Sequence, residues 1–346
     1  MTRIKRLVAV TVALIVAALS TQTMSIAQEK KGPPASRVDN VTETIHGVTI
    51  TDPYRWLEDQ ASSDTRAWIN AQNEYTTSML SSFAGRDKIH QRLEQLMKID
   101  VIGAPTERGG RYFIRNRRAD QNQFVISVRN GLSGKDEVLI DGNTLSADQT
   151  TSASIVDITP DGRYMAYGIR QGGEDEVTIS IKNVDTKTDL SDKLPRARYA
   201  GVSITPDKSG IFYSKFGKEG PRVFYHAMGT DVASDKKIFG DGYGPGTIIG
   251  GGLSDDGRYL LLGVSFGSSA DKSEVWVQDV KNKGPLVPIV KDIPARFSTA
   301  IGGDWLFMQT NWNAENGKIL VADLKKPGRE NWREIVPTGP SPINGF

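Results

Sequence analysis

The 346-residue sequence contains no cysteine. Disulfides, thiolate metal sites and a cysteine nucleophile are therefore excluded. Histidine is almost as scarce, with His46, His90 and His226 alone. Their scatter gives no H-x-x-x-H zinc pattern, and no other stretch calls for a metal or cofactor. A large excess of one charge is also missing. The formal net charge is +2, with no basic face of the kind that would mark a nucleic-acid surface. Charged residues at 24% and hydrophobic residues at 38% are ordinary for a soluble globular chain, and the length suits two domains or one large one.

Long apolar runs are absent except at the start. Arg3, Lys5 and Arg6 precede Leu7 to Leu19, LVAVTVALIVAAL. A basic n-region and an apolar run of about 13 residues make a signal peptide, and a membrane span needs about 20. Ser25-Ile26-Ala27 supplies the small residues of a cleavage site, so residues 1–27 are expected to be removed. The alternative is an uncleaved membrane anchor. With those three positive charges gone from the formal +2, the remainder sits near −1. The expected localisation is exported, periplasmic or secreted, with no membrane or nucleic-acid partner after cleavage.

Glycine is plentiful, at 35 residues, and Gly-rich turns between short segments suggest an all-β architecture. Residues 28–40 read as an extended lead-in, and Val48-Thr49-Ile50 as a short β piece. Two helical patterns follow. Ser63 or Asp64 can cap a run carrying Trp68, Ala71, Tyr75 and Met79, and Ile89, Leu93, Leu96 and Met97 share one face of a second. Both stripes are expected to be packing faces, with Ala84-Gly85-Arg86 as the break between them.

From about residue 100 the period changes to 2, as in Arg111–Arg115 and Phe124–Val128. A long repeat then appears. ITPDGRYMAYGIRQGG starts at Ile158, ITPDKSGIFYSKFGKEG at Ile204 and LSDDGRYLLLGVSFG at Leu253. Gly303-Asp304-Trp305 and Gly109-Gly110-Arg111 are divergent copies. In each, a turn aspartate (Asp161, Asp207, Asp256) accepts local backbone hydrogen bonds and a glycine supplies positive φ. Units of this length with several strands each signal a β-propeller. There is room for about five, and the last of them runs out at Pro342–Phe346 without a recognisable closing strand.

Gly263-Val264-Ser265-Phe266-Gly267 fits the G-x-S-x-G pattern of a hydrolase nucleophile elbow. The elbow needs a strand before it and a helix after it, whereas Ser265 precedes a polar turn and the strand-like Glu274-Val275-Trp276-Val277. In the repeat, Ser265 stands where Arg170 stands one unit earlier. All three histidines precede it, against the Ser, Asp, His order of such hydrolases. Ser265 is therefore read as the end of a strand, and His226 as a structural residue on the strand Phe224-Tyr225-His226. The acidic Gly172–Glu176 lacks the ligand alternation of a calcium loop and reads as a solvated hairpin turn. Gly240–Gly246 reads as an inter-blade loop.

The most distinctive stretch is Asp52–Asp59, DPYRWLED. On physical grounds it is a docked turn, with Tyr54 and Trp56 as anchors and Arg55 paired with Glu58 or Asp59. It also resembles the N-terminal motif of the prolyl oligopeptidase family of serine peptidases. The similarity continues through ASSDTRAWINAQNEYT (Ala61–Thr76) and the blade sequences, and covers nearly everything from about Val41 onward. The resemblance implies a mainly β fold, a partial propeller with about five of an expected seven blades behind a short helical segment. After the signal peptide of residues 1–27, the expected division of the sequence is an extended and helical segment with DPYRWLED over 28–99 and an incomplete propeller over 100–346. Two more blades and the catalytic α/β-hydrolase domain, with its Ser, Asp and His, are not contained in it. The resemblance further implies that the full-length enzyme cleaves short peptides after proline, that the propeller gates their access, and that the hydrolase domain is its intramolecular partner. No catalytic, cofactor-binding or metal-binding residue is assigned in this chain, and no local motif marks residues that touch substrate. The alternatives are a complete non-enzymatic propeller that binds a partner at its channel, and a dipeptidyl-peptidase relative, which DPYRWLED disfavours.

Overall fold

The computed structural model describes residues 32–345, so the signal-peptide reading of residues 1–27 lies outside the described residues. The chain forms two compact units that divide between Leu96 and Met97.

The first unit opens with a hairpin of β1 (Val41–Ile45) and β2 (Val48–Asp52). His46 and Gly47 form its turn, with φ of 52° and 80°, as a two-residue hairpin turn requires. The expected β piece is the second arm. The first arm, VTETI, has polar residues on both faces and so gives no alternation to read. In DPYRWLED, Arg55 donates to Glu43 at 2.6 Å and Asp52 at 3.0 Å, and lies 3.4 Å from Glu58. Asp59 is not its partner, because its carboxylate accepts from the Ala61 backbone N–H at 3.1 Å. The Tyr54 N–H and then Arg55 hold the Asp52 carboxyl below its ordinary range. Trp56 is the true anchor: its ring meets Trp68 edge-on at 6.4 Å, and its Nε1 donates to the Arg37 carbonyl at 3.0 Å. Tyr54 stays exposed.

Helix α1 (Ser63–Ser81) is capped by Ser62, one residue earlier than expected, whose Oγ accepts from the Thr65 N–H. Asp64 falls instead in the first turn, where a carboxylate suits the helix dipole. Gly85, with φ of 91°, separates it from α2 (Arg86–Met97). The stripe of Ile89, Leu93, Leu96 and Met97 exists, but each residue is more than half exposed. It is not packed as expected, because periodicity reports an apolar face and not what covers it.

The second unit is five antiparallel sheets arranged as propeller blades. Blade 1 holds β3 (Val101–Ile102), β4 (Thr106–Arg108), β5 (Arg111–Arg117), β6 (Val125–Asn130) and β7 (Asp136–Asp141), with β3 and β4 sharing the inner position on β5. Blade 2 runs β8 (Ser152–Ile158), β9 (Tyr164–Arg170), β10 (Val177–Asn183) and β11 (Thr188–Ala197). Blade 3 runs β12 (Tyr199–Ile204), β13 (Gly210–Lys215), β14 (Arg222–Ala227) and β15 (Lys236–Phe239). Blade 4 runs β16 (Ile248–Leu253), β17 (Tyr259–Ser265), β18 (Ser273–Asp279) and β19 (Leu286–Val290). Blade 5 runs β20 (Phe297–Gly302), β21 (Trp305–Thr310), β22 (Lys318–Asp323) and β23 (Arg333–Val336).

The period of 2 sends alternate side chains to the two faces of each blade. Met165 and Tyr167 face back to Phe113 and Val128 of blade 1, while Ala166 faces forward to Ile211 and Tyr213 of blade 3. Phe212 meets Leu260 and Leu262, and Val275 and Val277 meet Leu306 and Met308. Four apolar seams thus join five blades. The repeated turns are the first hairpin of blades 2 to 4, and their aspartates cap them: Asp161, Asp207 and Asp256 accept from backbone N–H groups two residues on, at 3.0–3.1 Å. Gly162 and Gly257 take φ near 67°, and Lys208 adopts 63° where its unit has no glycine. The repeated arginine ties this turn to the last turn of its own blade, through Arg163–Asp185 at 2.9 Å and Arg258–Asp279 at 3.0 Å. Downstream, Ile343 returns to blade 5: its N–H donates to the Asn316 carbonyl at 2.9 Å and its carbonyl accepts from Gln309.

Candidate functional site

At one end of the inner strands four blades converge. Arg108, Asp157, Ser203 and Asp255 line a small cavity there of about 50 Å³, which holds a few waters and no more. Asp157 and Ser203 each stitch one inner strand to the next. Asp157 accepts from the Ile204 N–H at 2.7 Å, and Ser203 Oγ accepts from the Leu253 N–H at 3.2 Å. Gly252 takes the same repeat position in blade 4, where an added Cβ would lie 2.5 Å from Ser203 Oγ. Burial pushes the Asp157 carboxyl above its ordinary range against the pull of the Ile204 N–H. Arg108 reaches Asp255 at 3.7 Å, joining blade 1 to blade 4. The arrangement is connective: it pairs no nucleophile with a base. Aligning the three repeats at the residue before Ile158, Ile204 and Leu253 would have found it.

Ser265 is the last residue of β17, paired with Ile248 on one side and Ser273 on the other. The chain then turns into β18, so the strand-to-helix context of an elbow is replaced by a hairpin. Arg170 is likewise the last residue of β9, as the repeat alignment requires. His46 sits in the β1–β2 turn and His90 on α2, both exposed.

His226 is on β14 and fully buried. Its Nδ1 lies 2.7 Å from Asp235 and its Nε2 3.2 Å from Asp192. Tyr213 donates to the second oxygen of Asp235 at 2.6 Å, and the Gly229 N–H donates to Asp192 at 2.5 Å. Burial, and then the Asp235 carboxylate, push the Tyr213 hydroxyl well above its ordinary range. A histidine between two carboxylates has the parts of a catalytic relay, but a general base must reach a substrate proton. Both ring nitrogens are engaged and the side chain has no exposed surface. The cluster clasps blade 2, through Asp192 on β11, to blade 3. No local pattern marks it, since the partners lie 9 and 34 residues away.

The acidic turn at Gly172–Glu176 is paired more than expected. Glu174 and Glu176 both meet Arg196, and Asp175 lies 3.8 Å from Arg198. Pairing of Val177 with Ala197 brings the end of β11 alongside that turn. Gly240–Gly246 is the connection from β15 to β16, between blades 3 and 4.

The family profile described as the prolyl oligopeptidase N-terminal beta-propeller domain matches residues 33–342. A prolyl endopeptidase of Elizabethkingia meningoseptica is 31% identical over an alignment of 339 residues that covers 94% of this chain and 47% of that protein. The prolyl endopeptidase of Elizabethkingia miricola is 30% identical, covering 98% of this chain and 49% of its own length. A solved structure from a study of inter-domain dynamics in two prolyl endopeptidases superposes with a TM-score of 0.79 at 29% identity, over 89% of this chain and 47% of that one. The chain spans about half the length of the relatives it matches. With five blades, their repeated turns and the DPYRWLED segment all in place, this chain belongs to the prolyl oligopeptidase family and carries its N-terminal β-propeller region.

Proposed function

We propose that this chain is the propeller-bearing part of an exported serine endopeptidase that cleaves short peptides after proline. The observation that carries the reading is the family match over residues 33–342, together with relatives called prolyl endopeptidases that are about twice as long. In this reading the reacting serine, activated by a histidine, belongs to a C-terminal hydrolase domain that completes the enzyme. The propeller limits which peptides reach it, and the chain by itself does not hydrolyse peptides. The engaged state of His226 and the strand-end position of Ser265 support that last point.

The coding sequence downstream of Phe346 is the test. An in-frame continuation with further blades and a G-x-S-x-G followed by Asp and His is expected. A stop codon there, with a stable monomeric product, would overturn the reading in favour of a non-enzymatic binding propeller.

A further inference from the structure

Two of the four seams share a plan for their outer rim, and the seam between blades 3 and 4 reverses its charge. Between blades 1 and 2, Glu137 on β7 pairs with Lys187, in the β10–β11 turn, at 2.7 Å. Between blades 2 and 3, Asp192 on β11 accepts from Gly229, in the β14–β15 turn. In both, a carboxylate on the outer half of one blade holds the last turn of the next.

Strand register identifies the matching residues between blades 3 and 4. Phe113, Val128 and Glu137 are successive cross-strand neighbours in blade 1, as Phe212, Tyr225 and Lys236 are in blade 3. Phe113 and Phe212 both face the next blade. On the other side, Val184 and Val280 each donate to the carbonyl of the repeated arginine at 2.8 Å. Three residues later, Lys187 and Lys283 both adopt positive φ, 59° and 52°. Lys236 therefore stands in the place of Glu137, across from Lys283 in the place of Lys187. A clasp has become two like charges, and Lys281 adds a third.

These three lysines rim a groove of about 860 Å³ floored by Phe212, Tyr225 and Val280. Among the described residues, no carboxylate lies within 4.0 Å of their ammonium groups. The other charged groups of the groove are two turn carboxylates, hydrogen-bonded within their own turns but still negative, and an arginine that is already paired. Asp207 accepts from Ser209, Asp256 from Ser254 and Arg258, and Arg258 pairs with Asp279 and Asp304. The volume falls in the range of sites for ligands far larger than a lone carboxylate. One wall is β15, the edge strand of its sheet, which leaves backbone groups free to pair with an extended segment. Edge lysines discourage pairing between copies of a chain, but they favour an acidic strand.

We propose that this groove binds an extended acidic peptide segment. One of its carboxylates would sit between Lys236 and Lys283, where Glu137 supplies the charge in blade 1, and an apolar side chain would lie on Phe212 and Tyr225.

The test is fluorescence anisotropy of the full chain with a labelled heptapeptide, Glu-Leu-Glu-Phe-Glu-Leu-Glu. Saturable binding is expected, weakened about tenfold or more when glutamine replaces its glutamates, and weakened by added salt. Lys236→Glu should recreate the blade 1 clasp with Lys283, keep the fold by circular dichroism, and lose at least about tenfold in affinity. Should that variant not fold, the exposed pair Lys281→Gln and Lys283→Gln serves the same purpose. Succinate at equal carboxylate concentration should not displace the peptide. The proposal is overturned by absence of saturable binding, by equal binding of the glutamine peptide, by unchanged affinity of the lysine variants, or by displacement with succinate.

Discussion

The seams between blades 2 and 3 and between blades 4 and 5 both have an apolar core, and the first adds a buried cluster of ionisable side chains to it. In the first, His226 is buried between Asp192 and Asp235, with Tyr213 donating to Asp235. In the second, Leu306 and Met308 of blade 5 are buried against Val275, Val277 and Val290 of blade 4. An apolar seam loses stability in proportion to the volume removed, because neighbours collapse only in part. A buried polar cluster is closer to all-or-none, since each member is tolerated in low dielectric only because its partners are present. The repeat therefore sets the places of contact, and each seam fills them in its own way.

The largest expected effect is at the polar seam. His226→Ala leaves two buried carboxylates facing one another and should cost about 3–5 kcal/mol. Urea titration reads it; a loss below about 1 kcal/mol would show that the cluster does not depend on charge pairing. Leu306→Ala at the apolar seam should cost about 2–5 kcal/mol, through lost burial and a residual cavity. Its loss should shrink when a bulkier apolar residue is restored there, whereas no apolar replacement at His226 supplies the missing partner for both carboxylates.

A smaller effect tests the rim of the polar seam. Burial alone would raise the Asp161 carboxyl, but hydrogen bonds from Lys208 on blade 3, Thr159 and the Arg163 N–H outweigh it and hold it at about 2. A depressed carboxylate contributes stability above its unfolded value and loses it as pH falls through the folded one. The contribution should therefore vanish between the ordinary 3.8 and about 2. The Asp161 side chain is 39% exposed, so screening keeps it below about 1 kcal/mol. Thermal melts over that interval should show Asp161→Asn losing less stability on acidification than the parent chain. Equal acid sensitivity would remove the Lys208–Asp161 contact from the seam's account.

Much of the propeller was legible because its signals are local. Asp161, Asp207 and Asp256 mark turns within six residues of sequence, and the hairpin register carried Ser265 to the same strand end as Arg170. Local pattern also had limits. The β1 arm is polar on both faces, and the helix cap at Ser62 was one residue off because Ser62, Ser63 and Asp64 are all capable caps. The Asp192–His226–Asp235 cluster was invisible, because only the stacking of blade 2 on blade 3 brings its members together. The exchange of Glu137 for Lys236 became readable only through cross-strand register, which composition and spacing do not supply.

Peptide hydrolysis by the purified chain is the most direct measurement of whether any of its own residues does chemistry. A proline-containing reporter peptide should not be turned over, by the parent chain or by Ser265→Ala. Turnover by the parent chain that a serine-directed inhibitor abolishes, and that Ser265→Ala lacks, would contradict the placing of Ser265 as a strand end without catalytic function.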